Sequence, residues 1–459
     1  MSNELPRDHA PDLPGRTGEG RTGEGRNATP SVDPLARHLL PDSAETGPDG
    51  RLRVGGVDIA DLADEVGTPV FVYDEGHLRA RCAEAVRAFG PGVAYATKAF
   101  LCKAMARLAV EEGMSLDVST SGELGTSLAA GVPGAKLVLH GNNKSDVELE
   151  TAVVSGVSRI VVDSFDEIER IGRLVGGRRS PGHATQPVMV RVTPGVEAHT
   201  HEYVTTGQED SKFGFSLASG AAAEAIEALR AMAGVDLVGV HAHIGSQIFR
   251  LDAFEREVAV LAPLLERFGL GELCVGGGLG VAYLADERAP SITEWAVGLR
   301  AACARAGVPA SVRVTAEPGR SIVATAGLTC YRVGTIKRLE GIRTYVSVDG
   351  GMSDNPRPVL YGSGYEAFLP RAVTAPRPFA ARVVGKHCES GDVLVADARL
   401  PEQTCVGDVL ATPVTGAYGF SMASNYNRLP RPAVVFVRAG AATVVVRRET
   451  VEDLLRLEP

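Results

Sequence analysis

The chain has 459 residues and a formal net charge of −9, too long for one ordinary domain and too acidic for a generic nucleic-acid surface. Its 44% hydrophobic content supplies a large core, yet no apolar run is long enough to span a bilayer, and the N-terminus lacks the apolar stretch of a signal peptide. Seven scattered cysteines without a Cys-x-x-Cys pair argue against a disulfide framework or a zinc site and for free thiols in a cytoplasmic protein.

Residues 1–33 are rich in Gly, Pro, Arg and Glu and carry a tandem repeat, Gly15-Arg16-Thr17-Gly18-Glu19 followed by Gly20-Arg21-Thr22-Gly23-Glu24. Such a segment buries too little apolar surface to offset its ordering entropy, so a disordered tail is expected. Next come a short strand at 52–54, a helix at 59–66 and a strand at 70–73. Apolar runs then alternate with helical stretches, predicting strands at 93–96, 115–118, 136–140, 159–163, 188–192, 237–241, 272–275 and 312–316. The pattern at 221–233, with Ala and Leu at 3.6-residue spacing, predicts one of the helices between them. This is the α/β pattern of a (β/α)8 TIM-type barrel, expected over residues 74–325. Past residue 322 the texture changes to β-branched runs at 344–348, 393–395, 433–437 and 443–446, broken by Gly, Pro and Asp. A C-terminal all-β domain is expected there, formed by 34–73 together with 326–459.

In such a barrel the reactive groups stand at the C-terminal ends of the strands. The residues that follow the expected strands are Lys98, Asp117 and Ser119, His140 and Asn142, Asp163, His241 and His243, Gly276-Gly277-Gly278, and Glu317 with Arg320. One polar strand end is ordinary, but a whole mouth of them is not. Lys98 ends an apolar run, so it is either a snorkelling surface lysine or a buried amine of lowered pKa, ready to form a Schiff base. The glycine run follows a strand, where its N–H groups can approach a phosphate without a Cβ in the way. It lacks the context of a dinucleotide fingerprint or a P-loop. Glu317-Pro318-Gly319-Arg320 suits either a salt-bridged strand end or a carboxylate holding a heterocyclic nitrogen protonated beside an anion-binding arginine. His241 and His243, two apart on a strand, are expected to face opposite sides and so not to chelate an ion together, and no metal is expected. Cys388-Glu389-Ser390-Gly391-Asp392 and Gly416-Ala417-Tyr418-Gly419 are, by themselves, a loop with a thiol and a turn.

Taken in order, the strand-ending lysine, His243-Ile244-Gly245-Ser246, the triple glycine, Glu317-Pro318-Gly319-Arg320, the cysteine loop and Gly416-Ala417-Tyr418 resemble one family. It is the pyridoxal-phosphate-dependent decarboxylases of the alanine-racemase-like fold, in particular the branch that acts on diaminopimelate. Thr193-Pro194-Gly195, the stretch 199–214 and Val348-Asp349-Gly350-Gly351-Met352 extend the likeness.

The resemblance implies pyridoxal 5'-phosphate held as a Schiff base on Lys98, with Asp117 near by and His243 stacked on the ring. It implies a phosphate site of Ser246, Gly276, Gly277, Gly278 and Tyr418, further cofactor contacts from Gly319 and Arg320, and Glu317 on the ring nitrogen. Arg320, Arg357 and Tyr361 are implied for the substrate's distal carboxylate and Glu389 for its distal amine, with Tyr418 also in the substrate set. Cys388 is implied as the proton donor, reaching in from the other subunit of a homodimer. Lys212 lies in the stretch 199–214, which acts in the family as a mobile cover, and is set aside as the anchor. The reaction so implied is decarboxylation of meso-2,6-diaminopimelate to L-lysine and CO2, the last step of lysine biosynthesis. A same-fold racemase, a decarboxylase of a related diamino acid and a non-catalytic cofactor carrier are the alternatives. The racemase would need a tyrosine base and neither Cys388-Glu389 nor Arg357, and such carriers lack a β domain.

Overall fold

The computed structural model describes residues 33–176, 185–196 and 210–459. The disordered tail expected at 1–33 therefore lies outside the described residues, apart from Asp33. Eight short strands run parallel and side by side in chain order: Ala94–Ala96, Ser115–Val118, Leu137–Leu139, Arg159–Val162, Gln186–Thr193, Val235–His241, Glu272–Cys274 and Arg313–Thr315. The ring closes where the first strand donates from Ala94 N–H to Ala316 O (3.1 Å) and from Ala96 N–H to Pro318 O (3.2 Å). All the expected barrel strands are present. The fifth and sixth extend further toward their N-terminal ends.

Alternation explains the layering. Leu137 and Leu139 join the main core between strands and helices, whereas Val138 joins Val161, Met189 and Cys274 in a small separate cluster inside the ring. Helices begin where the strand-end loops stop, with caps legible in the sequence. Thr120 accepts from Glu123 N–H at the start of Ser121–Ala129, and Ser145 with Glu148 forms a reciprocal capping box for Asp146–Ser155. Each cap is worth about 1 kcal/mol, which pins the far ends of the loops that carry Asp117 and His140. The helix predicted at 221–233 spans Ala221–Arg230, and Gly234, at φ 85°, then turns the chain into the next strand.

The second sheet has eight strands. Val70–Asp74 lies inside it, antiparallel to Gly327–Leu339 and parallel to Ala433–Arg438. Arg343–Val348, Phe379–Val384 and Val393–Leu400 continue it on one side and Ala441–Val446 edges the other, while Val409–Pro413 also pairs with Gly327–Leu339. A short helix, Arg357–Tyr361, interrupts this β texture; Pro356 and Pro358 open it and Gly362, at φ 60°, ends it. The sheet is keyed to the barrel mouth through Tyr73. Its ring stacks on Phe100 at 4.3 Å and its hydroxyl donates to Gly416 O at 2.8 Å. Tyr418 N–H in turn donates to Ala99 O at 2.8 Å, which sets the Tyr418 turn beside Lys98.

Candidate active site

Two cavities meet at the C-terminal mouth of the barrel. One, of 340 Å³, is lined by strand-end residues that include Lys98, Asp117, His140, Arg191, His241, His243, Gly277, Gly278, Glu317 and Gly319. The other, of 520 Å³, extends outward and is lined by Tyr283, Arg357, Tyr361 and the turn after it. Lys98, Ser246, Arg320 and Tyr418 line both.

Lys98 stands in a single 3-10 turn, Thr97–Ala99, directly after the first strand. Thr97 and Ala99 are buried, but Lys98 itself is exposed toward the cavities. The burial considered for this amine is therefore absent; its setting is an open cavity and not an apolar strand end. Thr97 Oγ1 ties the turn to the second strand by donating to Asp117 O at 2.7 Å.

Glu317 forms the floor. Its Oε2 lies 2.9 Å from His241 Nε2 and its Oε1 2.9 Å from His140 Nε2, while Asp117 Oδ1 lies 3.6 Å from that same His140 nitrogen. Burial raises the Glu317 carboxyl, but the two imidazoles outweigh it and hold Glu317 well below the usual carboxylate range. Burial lowers His140 too, yet Asp117 and Glu317 together raise it above its ordinary value. His241 is pulled by burial down to about 4, and Asp117 is lifted by burial to about 6. At neutral pH the floor is thus an ionised carboxylate fixed between the neutral His241 imidazole and a His140 imidazole whose pKa is raised. Donor atoms of His140, His241 and Glu317 all lie within 4.8 Å, a spacing that could also admit a cation. His241 and His243 do not face opposite sides as expected: both line the cavity, because residues two apart on a strand share a face.

His243 is half-buried in the cavity wall, and desolvation there, with Lys98 and Arg191, pushes its imidazole well below the ordinary value. The neutral ring accepts Gly277 N–H on Nδ1 at 3.1 Å. The glycine run is compressed between neighbouring strand ends. A Cβ on Gly276 would meet Ala242 O at 2.5 Å, one on Gly277 would meet Glu317 O at 2.4 Å, and one on Gly278 would meet Gly245 O at 2.2 Å. Gly277 and Gly278 line the inner cavity, whereas Gly276 is absent from its wall and accepts Glu317 N–H at 2.6 Å. The loop that bears His140 and Asn142 is held by Lys144, whose ammonium donates to Gly141 O (2.7 Å), Val161 O (2.6 Å) and Glu167 Oε1 (2.7 Å). Breaking so buried a pair costs about 3–5 kcal/mol, so that loop is firmly set.

The outer cavity holds two buried guanidiniums. Arg320 donates to Tyr283 OH at 2.6 Å and to Ser246 Oγ at 3.0 Å, and it lies over the Tyr418 ring at 4.8 Å. Arg357 donates to Tyr365 OH at 2.5 Å and lies over the Tyr283 ring at 4.2 Å. Among the described residues neither has an ion-pair partner; hydroxyls and aromatic faces surround them instead. Glu287, on the same wall, has its Oε2 occupied by the N–H groups of Tyr283 and Leu284. Tyr418, at φ 61°, sits in the left-handed region, a conformation that costs a non-glycine residue about 1–3 kcal/mol and clusters at functional sites.

Two expected residues are not brought here by the chain itself. Cys388 and Glu389 are exposed on the loop between Phe379–Val384 and Val393–Leu400, and neither lines either cavity. The loop is nevertheless well tied. Asp392 accepts from Met352 N–H (2.6 Å) and His387 N–H (2.9 Å), and Asn427 Oδ1 accepts from Cys388 N–H (3.1 Å). Of the stretch 199–214, residues 199–209 lie outside the described residues; Phe213 lines the inner cavity beneath the Arg191 guanidinium, 4.2 Å from its ring centre.

Sequence reasoning missed Tyr283, Tyr365 and Arg191. Only Arg191 left a signal, a lone charge inside the run Val188-Met189-Val190-Arg191-Val192 at an inward-facing register.

Comparison with known proteins identifies the family. Residues 75–324 match the family described as pyridoxal-dependent decarboxylase, pyridoxal binding domain. The diaminopimelate decarboxylase of Mycobacterium tuberculosis is 46% identical over 444 residues, spanning 92% of this chain and 98% of that protein. That of Bacillus subtilis is 46% identical over 426 residues, 89% of this chain and 95% of its own length. The crystal structure of diaminopimelate decarboxylase from M. jannaschii in co-complex with L-lysine superposes with a TM-score of 0.83 at 31% identity, covering 91% of this chain and 98% of that one.

Proposed function

Because the chain belongs to the diaminopimelate decarboxylase family of pyridoxal-dependent enzymes, we propose that the two joined cavities are its active site and that their residues divide the reaction as follows. The enzyme is a carboxy-lyase that converts diaminopimelate to lysine. The observation that carries the assignment of residues is the pair of buried arginines that have no carboxylate partner among the described residues, in a cavity that Lys98 also lines. Buried guanidiniums without a counter-ion are costly and well placed to take an anionic group from a ligand. A diamine precursor with no second carboxylate would leave Arg357 facing a like charge.

The residues present fit pyridoxal phosphate. The glycine run leaves no room for a Cβ yet borders the cavity, Ser246 and Tyr418 offer hydroxyls, and Glu317 is an anion where a protonated ring nitrogen needs one. Lys98 would hold the cofactor, His243 would lie against its ring and Glu317 would accept from its nitrogen. When bound, the cofactor supplies an electron sink for the charge left at Cα as CO2 departs. Asp117 and His140 brace Glu317. Gly277, Gly278, Ser246, Gly319 and Tyr418 serve the phosphate end, with Gly276 supporting Glu317 from behind. Arg320, Arg357 and Tyr361 orient the far carboxylate, Glu389 takes the far ammonium, and Cys388 delivers a proton to Cα.

Cys388 and Glu389 can serve this site only if a second copy of the chain brings them, so the working enzyme is read as a homodimer with shared sites. Exposed Val359 and Leu360, on the helix bordering the outer cavity, support an interface there. Residues 74–325 are assigned to cofactor binding, and 34–73 with 326–459 to the β domain. The cysteines are all unpaired, which supports a reducing, cytoplasmic setting.

Arg357→Met tests the assignment. Loss of the buried charge is expected to raise KM for diaminopimelate on the order of 100-fold, with a smaller change in kcat. An unchanged KM would remove Arg357 from the substrate site.

A further inference from the structure

One side chain touches both buried guanidiniums. The Tyr283 hydroxyl accepts from Arg320 at 2.6 Å, and the Arg357 guanidinium lies 4.2 Å from its ring centre. Arg320 stands after the last barrel strand and Arg357 on the short helix Arg357–Tyr361, while Tyr283 belongs to the loop after Glu272–Cys274. Tyr283 is itself held on two sides. Its backbone N–H donates to Glu287 Oε2 at 2.7 Å, and Tyr365 meets its ring edge-on, 5.2 Å between centres at 79°. It is only 4% exposed.

Two guanidiniums in one cavity repel each other, and among the described residues neither is paired with a carboxylate that would set its position. Neutral groups must do so. A tyrosine suits this work, because its π face attracts one cation while its oxygen accepts from the other.

We propose that Tyr283 is a specificity-determining positioning residue: it fixes the spacing and direction of Arg320 and Arg357, and thereby selects an amino acid that carries a carboxylate at its far end. The proposal rests on the reading of those arginines as carboxylate-binding groups.

The test compares affinities for L-lysine, which keeps the far carboxylate, and cadaverine, the same chain without it, by titrating the cofactor's absorbance in the holoenzyme. Wild-type enzyme should prefer L-lysine; no preference would sink the arginine assignment itself, and Tyr283 with it. Given that preference, Tyr283→Phe, which keeps the ring but removes the acceptor for Arg320, should lower the affinity ratio about tenfold, and Tyr283→Leu about 100-fold. In steady-state kinetics both should raise KM for diaminopimelate more than they lower kcat. Equal loss of affinity for both ligands would mark Tyr283 as merely structural, and two unchanged affinities would mark it as idle; either result overturns the proposal.

Discussion

Lys98→Ala is expected to abolish the absorbance near the visible edge that a lysine-linked pyridoxal cofactor gives, and to lower turnover by on the order of 10⁴-fold or more. The expectation is specific because no other lysine lines either cavity. Lys144 is buried against Glu167, and Lys212 lies over the Phe213 ring at 5.0 Å. Exposure of Lys98 toward the cavity also lets an aldehyde reach the amine without first opening a packed core. The measurement is the absorbance spectrum of purified protein after incubation with pyridoxal phosphate. If the band persists in the alanine variant, Lys98 is not the anchor.

The second large effect concerns a residue that lines neither cavity. Cys388→Ala is expected to keep the cofactor band but to lose turnover by about 10²–10⁴-fold, the scale of a missing general acid. Its exposed position in one chain makes a sharper prediction. If the thiol serves the neighbouring subunit, a Lys98→Ala chain and a Cys388→Ala chain are each inactive alone, yet a mixed dimer has one site with both residues intact. Random mixing then restores about a quarter of wild-type activity, as two-fold symmetry requires. A mixture as inactive as its parts, measured with mixed dimers confirmed to form, would place Cys388 outside a shared site. A fully active Cys388→Ala enzyme would remove it as the donor.

How much of this could be read in advance follows from what a linear pattern encodes. Period-two and period-3.6 spacing predict the barrel strands and where each ends, and in this fold strand ends are where the chemistry lies. Lys98, Asp117, His243, the glycine run and Glu317 were all legible for that reason. Lateral adjacency was not. Nothing in the spacing of His140, His241 and Glu317 reveals that two imidazoles grip one carboxylate, because they come from the third, sixth and eighth strands and meet only when the ring closes. Tyr283 and Tyr365 sit in loops without periodicity, so their contacts with the arginines depend on how the sheet seats against the barrel. The exposure of Lys98 ran against the apolar run before it, because the chain leaves the strand at Thr97 and a single turn swings the amine out of the wall. The interior position of Arg191, by contrast, was available from alternation alone.

Glu317 also shows why burial by itself misleads. Burial alone would favour the protonated acid, but His140 and His241, both at 2.9 Å, outweigh it. The site thereby keeps an anion at its floor through neutral pH, opposite the cationic outer cavity. On the proposed reading, that arrangement separates a place for a protonated ring from a place for a carboxylate.

The central claim is that these two places serve an amino acid with a carboxylate at each end. CO2 release by the holoenzyme, measured side by side on meso-diaminopimelate, ornithine, arginine and lysine, tests it most directly. Release from meso-diaminopimelate far above the other three, with L-lysine as the product, is the result predicted. Preference for ornithine, arginine or lysine would contradict it.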